Sequence, residues 1–136
     1  MAIIQLVGVL ETGGPRDLNI APVNPRRAIR CTMGSTVTVR IAVVDTAGVP
    51  VDLSTASLVL TIKKAPNSYE VTFTANETVV GDPLAGNAEF SIPSTAFEYV
   101  EPGRYCYDIW LLRGAESDPV IPTSPFIIEP TVRAVS

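Results

Sequence analysis

The stretch TVTVRIAVV, residues 36–44, alternates without a break: Val37, Val39, Ile41 and Val43 fall on one side, Thr36, Thr38 and Arg40 on the other. Side chains of an extended chain point to opposite faces with a period of two, so this pattern specifies a half-buried strand and cannot build the apolar stripe of a helix. The same period returns along the chain. SLVLTIKK (57–64) sends Leu58, Leu60 and Ile62 inward, YEVTFTA (69–75) Val71 and Phe73, and NAEFSI (87–92) Ala88, Phe90 and Ile92. In EPGRYCYDIWLLRG (101–114), Tyr105, Tyr107, Ile109 and Leu111 form the less charged face, which places Cys106, Asp108 and Trp110 outward.

Turn chemistry separates these runs. DTAGVPVD, APNS, GDPLAGN and GAESDP combine residues that preset a turn or reach left-handed backbone angles. PSTAFEYV (93–100) starts with capping hydroxyls and is stopped by Pro102–Gly103, which leaves room for one or two helical turns. PVIPTSPFIIEP (119–130) is restricted by its prolines to an edge or irregular strand. Short strands with turns every 8–12 residues and no helices between them specify an all-β fold, an antiparallel β-sandwich. At 136 residues the chain suits one domain, which buries about two-thirds of its unfolded surface.

The sandwich is expected over residues 34–130, followed by a C-terminal tail, 131–136. Residues 1–33 read as an extended N-terminal arm or a first strand, because ETGGPRDLNIAPVNPRR (11–27) holds three prolines and two glycines and cannot continue a regular central strand. The apolar opening MAIIQLVGVL lacks a basic leader and a small-residue cleavage site, is too short to span a bilayer, and reads as part of the mature protein. It either docks on a neighbouring subunit or forms a strand of its own domain.

Charge is uneven. Residues 1–44 carry Arg16, Arg26, Arg27, Arg30 and Arg40 against Glu11 and Asp17, a balance of +3 within a chain of net charge −4, so the remainder sums to −7. Such asymmetry allows one copy's N-terminal segment to meet the acidic body of another. No basic stripe interleaves with aromatics, which argues against nucleic acid as a partner.

Catalytic chemistry finds little to work with. The chain has no histidine, which removes the usual general base and zinc ligand, and Cys31 and Cys106 lack metal-ligand spacing. The two cysteines read as buried free thiols; one disulfide between the second and sixth strands is the alternative, on the pattern of immunoglobulin domains. Two carboxylate pairs, Glu98 with Glu101 and Glu116 with Asp118, fall in exposed turns, where acidic residues are ordinarily just solvated. No calcium loop occurs, Asn76-Glu77-Thr78 is a chance sequon, and GGPRD (13–17) lacks the strand–loop–helix context of a phosphate loop. The expectation is a protein that is not an enzyme and holds no cofactor or metal.

The order GSTVTVRIAVVDTAGVPVDLSTASLVLTIKK, then GNAEFSIPSTAFEYVEPGRYCYDIWLLRG, then DPVIPTSPFIIEP, resembles the immunoglobulin-like domains of tailed-bacteriophage virion proteins, in particular baseplate and tail proteins of the upper-baseplate type. The resemblance covers about residues 34–130. It is carried by Val51-Asp52-Leu53-Ser54, the lysine pair Lys63-Lys64, Pro102-Gly103-x-Tyr105-x-Tyr107-Asp108 and the Arg113-Gly114 turn. It implies an immunoglobulin-like β-sandwich and a structural subunit of a virion (tail, baseplate, neck or capsid accessory protein), assembled in the bacterial cytoplasm. Its partners would be other virion proteins and copies of itself, with no membrane and no nucleic acid, as a homo-oligomer in the particle. Expected contact residues are Ile3, Ile4, Leu6, Val7, Arg26, Arg27, Arg30 and Trp110; Trp110 either lies under the arm or stands exposed. The competing expectation is a module that binds carbohydrate on a host surface through Tyr69, Tyr99 and Trp110.

Overall fold

A computed structural model describes residues 2–10 and 28–131. The alternating runs are strands: β3 (Val37–Asp45), β4 (Ser57–Lys63), β7 (Asn87–Ile92) and β8 (Gly103–Arg113). Around them lie β1 (Ala2–Leu10), β2 (Ile29–Thr32), β5 (Phe73–Asn76), β6 (Thr78–Val79) and β9 (Glu116–Glu129). They form two sheets, one of four strands in the order β1-β3-β7-β6 and one of five in the order β2-β9-β8-β4-β5.

The core lies between the sheets and is built from the side chains that the period of two selects. Val37, Val39, Ile41 and Val43 of β3 and Ala88, Phe90 and Ile92 of β7 face Leu58, Leu60 and Ile62 of β4 and Tyr105, Tyr107, Ile109 and Leu111 of β8, all buried. Phe97, from the β7–β8 connection, enters the same core and packs its ring 6.0 Å from Phe73 and 5.8 Å from Phe126. That connection is a run of tight turns, with Ala96, Glu98 and Val100 each donating to the carbonyl three residues back. It ends at Tyr105, whose hydroxyl donates to the Glu101 carbonyl oxygen at 2.8 Å. GDPLAGN holds a 3-10 turn, Pro83–Ala85, capped by Asp82, whose carboxylate accepts from the Leu84 amide at 3.0 Å.

β9 follows its prolines. Its pairing with β8 slips twice, between Tyr107 and Ile109 and between Ile109 and Trp110, and the adjacent Val120 and Ile121 both end up buried. β2 pairs only with Phe126–Glu129, so the stretch holding Pro119, Pro122 and Pro125 needs no amide donors on its outer side. The bulges curl this sheet and press Val120 against β1 at Gly8. A Cβ built on Gly8 would sit 2.8 Å from Ile41 Cδ1 and 3.2 Å from Val120 Cβ, so the close approach requires glycine there.

Three expectations need correction. The sandwich is not wholly antiparallel: β1 runs parallel to β3, and β2 parallel to β9. Each of these pairs joins strands that are not consecutive, because β2 lies in the other sheet from β1 and β3, and parallel neighbours need a long connection between them. Nor does the folded body begin at residue 34. Residues 2–10 and 29–32, expected within the arm or first strand, are paired into the two sheets; most of the proline-rich segment between them lies outside the described residues, as does the tail from 132. The strand expected over 69–75 is shorter and later, with Val71 exposed and only Phe73–Asn76 paired to β4.

The cysteines are free, but only Cys31 is buried as expected; Cys106 is half-buried. Both strands belong to the five-stranded sheet, but Cys31 faces the core while Cys106, next to inward Tyr105 and Tyr107, faces out. A disulfide through the plane of a sheet is geometrically impossible. Burial raises the pKa of both thiols above their ordinary value; at Cys106 Asp108 adds to the rise and Lys63 opposes it.

Candidate assembly interface

β1 is the outer strand of the four-stranded sheet. Its sequence AIIQLVGVL contains no charge and no proline over nine residues. Leu6, Gly8 and Leu10 are buried and Ile4 packs against the core, whereas Ile3 and Val7 point out and are 52% and 55% exposed, with Gln5 between them. Next to that outer row, β3 places Thr38, Arg40 and Ala42 opposite Ile3, Gln5 and Val7. The outer side of an edge strand offers a ladder of backbone donors and acceptors, which is a template for another strand. Among the described residues, no further strand pairs with its open side.

The opposite flank differs. β5 has four residues and β6 two, and the chain crosses from one sheet to the other between them at Glu77. There the Glu77 carboxylate accepts from the Leu58 amide at 2.9 Å while the Glu77 amide donates to the Leu58 carbonyl at 3.3 Å. A side chain thus closes an edge position that would otherwise call for a neighbouring strand.

The expected contact residues separate into five groups. Ile3 and Val7 are on the outer face of β1; Ile4 and Leu6 point into the protein's own core. Arg30, on β2, is exposed but lies 3.7 Å from Glu129 of the same chain, and Arg40 lies 3.4 Å from Glu89, so two of the N-terminal arginines meet acidic partners in cis. Arg26 and Arg27 lie outside the described residues. Trp110 is half-buried on the outer face of the five-stranded sheet.

That face carries a shallow groove of about 260 Å³. Thr61 and Lys63 of β4, Cys106, Asp108 and Trp110 of β8, Thr123 of β9 and Pro66 from the β4–β5 connection line it. Thr61 stands opposite Asp108, and Lys63 opposite Cys106. Tyr69 and Tyr99, expected to share a surface with Trp110, do not line the groove and project almost fully into solvent at 102% and 95% exposure.

Of the carboxylates weighed for catalysis, Glu98, Glu101 and Glu116 are exposed, and Glu116 lies 3.9 Å from Arg113. Among the described residues no group of three or more His, Cys, Asp or Glu is placed to hold a metal ion. Two features of the flanks escaped the sequence. The role of Glu77 had no local signal, since its acceptor contact is with a strand nineteen residues away. The split within β1 did have one, because its own period of two separates Ile3 and Val7 from Ile4 and Leu6.

No family model and no curated protein matches the chain. Among solved structures it is similar to the N-terminal domain of phage TP901-1 ORF48, at 16% identity and a TM-score of 0.45, over 95% of this chain and 99% of that one.

Proposed function

We propose that this chain is a structural subunit of a bacteriophage virion, in the tail, baseplate, neck or capsid accessory layer, and that it works through protein–protein contacts. The observation that carries the reading is the β1 edge, nine uncharged residues with Ile3 and Val7 turned outward. Sheet proteins blunt such edges with charge, proline or shortness, and an edge left open serves strand addition. The motif order over residues 34–130 resembles virion immunoglobulin-like domains, and two structural features fit that form. The order β1-β3-β7-β6 against β2-β9-β8-β4-β5 supports it, in that it is compatible with A-B-E-D and G-F-C-C′ sheets if β1 is reversed in direction and β2 is an added edge strand. Tyr105, bonded back to Glu101 two residues before buried Tyr107, has the spacing and bond that a tyrosine corner would show, which supports the same form.

The test is quantitative mass spectrometry of purified particles made by the genome that encodes this sequence. Several copies per particle are expected; a chain abundant in the lysate but missing from the particles would remove the reading.

A second reading, a carbohydrate-binding module, draws on the groove. Trp110 offers an aromatic surface, and Asp108, Thr61 and Thr123 offer hydrogen-bonding groups beside it, a combination that suits a sugar ring. Binding to a glycan array that disappears in Trp110→Ala would favour it.

A further inference from the structure

We propose that β1 pairs with β1 of a second copy of this chain, antiparallel about a twofold axis at Leu6, joining two four-stranded sheets into one of eight. The inference rests on the reading of β1 as the assembly edge and adds the identity and register of its partner.

Charge selects the partner. A strand paired about a twofold axis meets its own copy, so within a chain of net charge −4 an uncharged strand carries the least like-charge repulsion. β1 is the one described edge that meets this condition along its length. The free half of β9 carries Glu116 and Asp118, β2 has Arg30 within its four residues, and β5 and β6 are short and joined through Glu77. Self-pairing at β9 or β2 would oppose like charges, which destabilises cross-strand pairs.

Pattern selects the register. Residues directly opposite in an antiparallel pair share a face, so an in-phase register must match core-facing with core-facing positions. Centring on Leu6 does this for all nine residues. On the inside, Leu6 meets Leu6 and Ile4 meets Gly8; on the outside, Ile3 meets Val9 and Gln5 meets Val7. Isologous pairing of this kind closes as a dimer and does not propagate into a fibre.

Size sets the strength. Nine residues span about 30 Å and form roughly one interchain hydrogen bond per residue. This contact is smaller than the ~800 Å² per partner of a standard interface, so the dimer is concentration-dependent in free solution.

Sedimentation equilibrium of the full chain between ~10 μM and ~1 mM tests the proposal. The wild type is expected to pass from monomer to dimer. Two double variants at exposed positions then read the register. Gln5→Lys/Val7→Lys sets lysine against lysine twice across the axis and is expected to weaken the dimer about tenfold. Gln5→Glu/Val7→Lys sets glutamate against lysine twice and is expected to keep it, with both variants unfolding at wild-type denaturant concentrations. A monomer at the highest concentration overturns the proposal, as does an oligomer to which the two variants respond alike. Copies found in particles beside a monomer in solution would leave the virion reading intact and sink the pairing; a register-dependent dimer missing from particles would do the reverse.

Discussion

On one flank of the sandwich, β5 and β6 hold six residues between them and the Glu77 carboxylate occupies the Leu58 amide. On the other, β1 runs nine residues with no charge, and β9 is held against it through Gly8. Both flanks belong to one core, and both face the difficulty that an unpaired strand backbone recruits neighbours. The short flank closes itself with a side chain. The long flank spends its residues on packing inward and, among the described residues, leaves its outward ladder without a partner strand, the contrast that the proposed assembly would use.

Changes at each flank sharpen or break that contrast. The largest effect is expected from Gly8→Val, whose branched side chain must displace Ile41 and Val120; overpacking of this kind costs about 3 kcal/mol, read from the denaturant midpoint at unchanged m-value. Next is Glu77→Ala, which strips a charge-assisted hydrogen bond from the Leu58 amide and is expected to cost about 2 kcal/mol. If the blunted flank is what Glu77 maintains, this variant also associates more strongly than wild type in light scattering. Ile3→Lys is the smallest in stability, within about 0.5 kcal/mol because the site is exposed, while it weakens association. A large stability loss there would mean that Ile3 belongs to the core and that the flanks differ less than described.

The core between the flanks supplies two controls. Tyr105→Phe removes the bond to the Glu101 carbonyl and is expected to cost about 1 kcal/mol without altering association. Burial raises the pKa of Cys31, Cys106 and Tyr105, with Asp108 assisting at Cys106 and Glu101 at Tyr105. Groups with raised folded values stabilise the fold below their unfolded values and lose that contribution as pH rises through the folded ones. Denaturation midpoints are therefore expected to hold through neutral pH and to fall above pH ~9.

Much of the body was legible because β3, β4, β7 and β8 alternate over six residues or more, and their inward sets are the buried sets. What escaped depends on partners distant in sequence. β2 has four residues, too few for a period to register, and is a strand because β9 offers it an edge. YEVTFTA alternates well, yet Val71 is exposed, since pairing with β4 begins only at Phe73. Arg30, read as reaching for another copy, lies near Glu129 because the β2–β9 register sets Thr32 opposite that residue. For the interface, sequence supplied the apolar character of residues 2–10 and left open whether they form an arm or a strand. Which residues face outward follows from the pairing with β3 and the closure over Gly8.

The parallel seating of β2 on β9 has a kinetic side. Ile29 and its partner Phe126 are 97 residues apart (126 − 29), and contacts so far apart in sequence carry a large loop-closure cost and form late. On the ribosome, β3, β4, β7 and β8 can associate as they emerge, but β2 has no place to dock until residues 126–129 have been made. Through most of synthesis Ile29 and the Cys31 thiol therefore remain unsheltered, and the last ladder to close also hides the last reactive sulfur of the core.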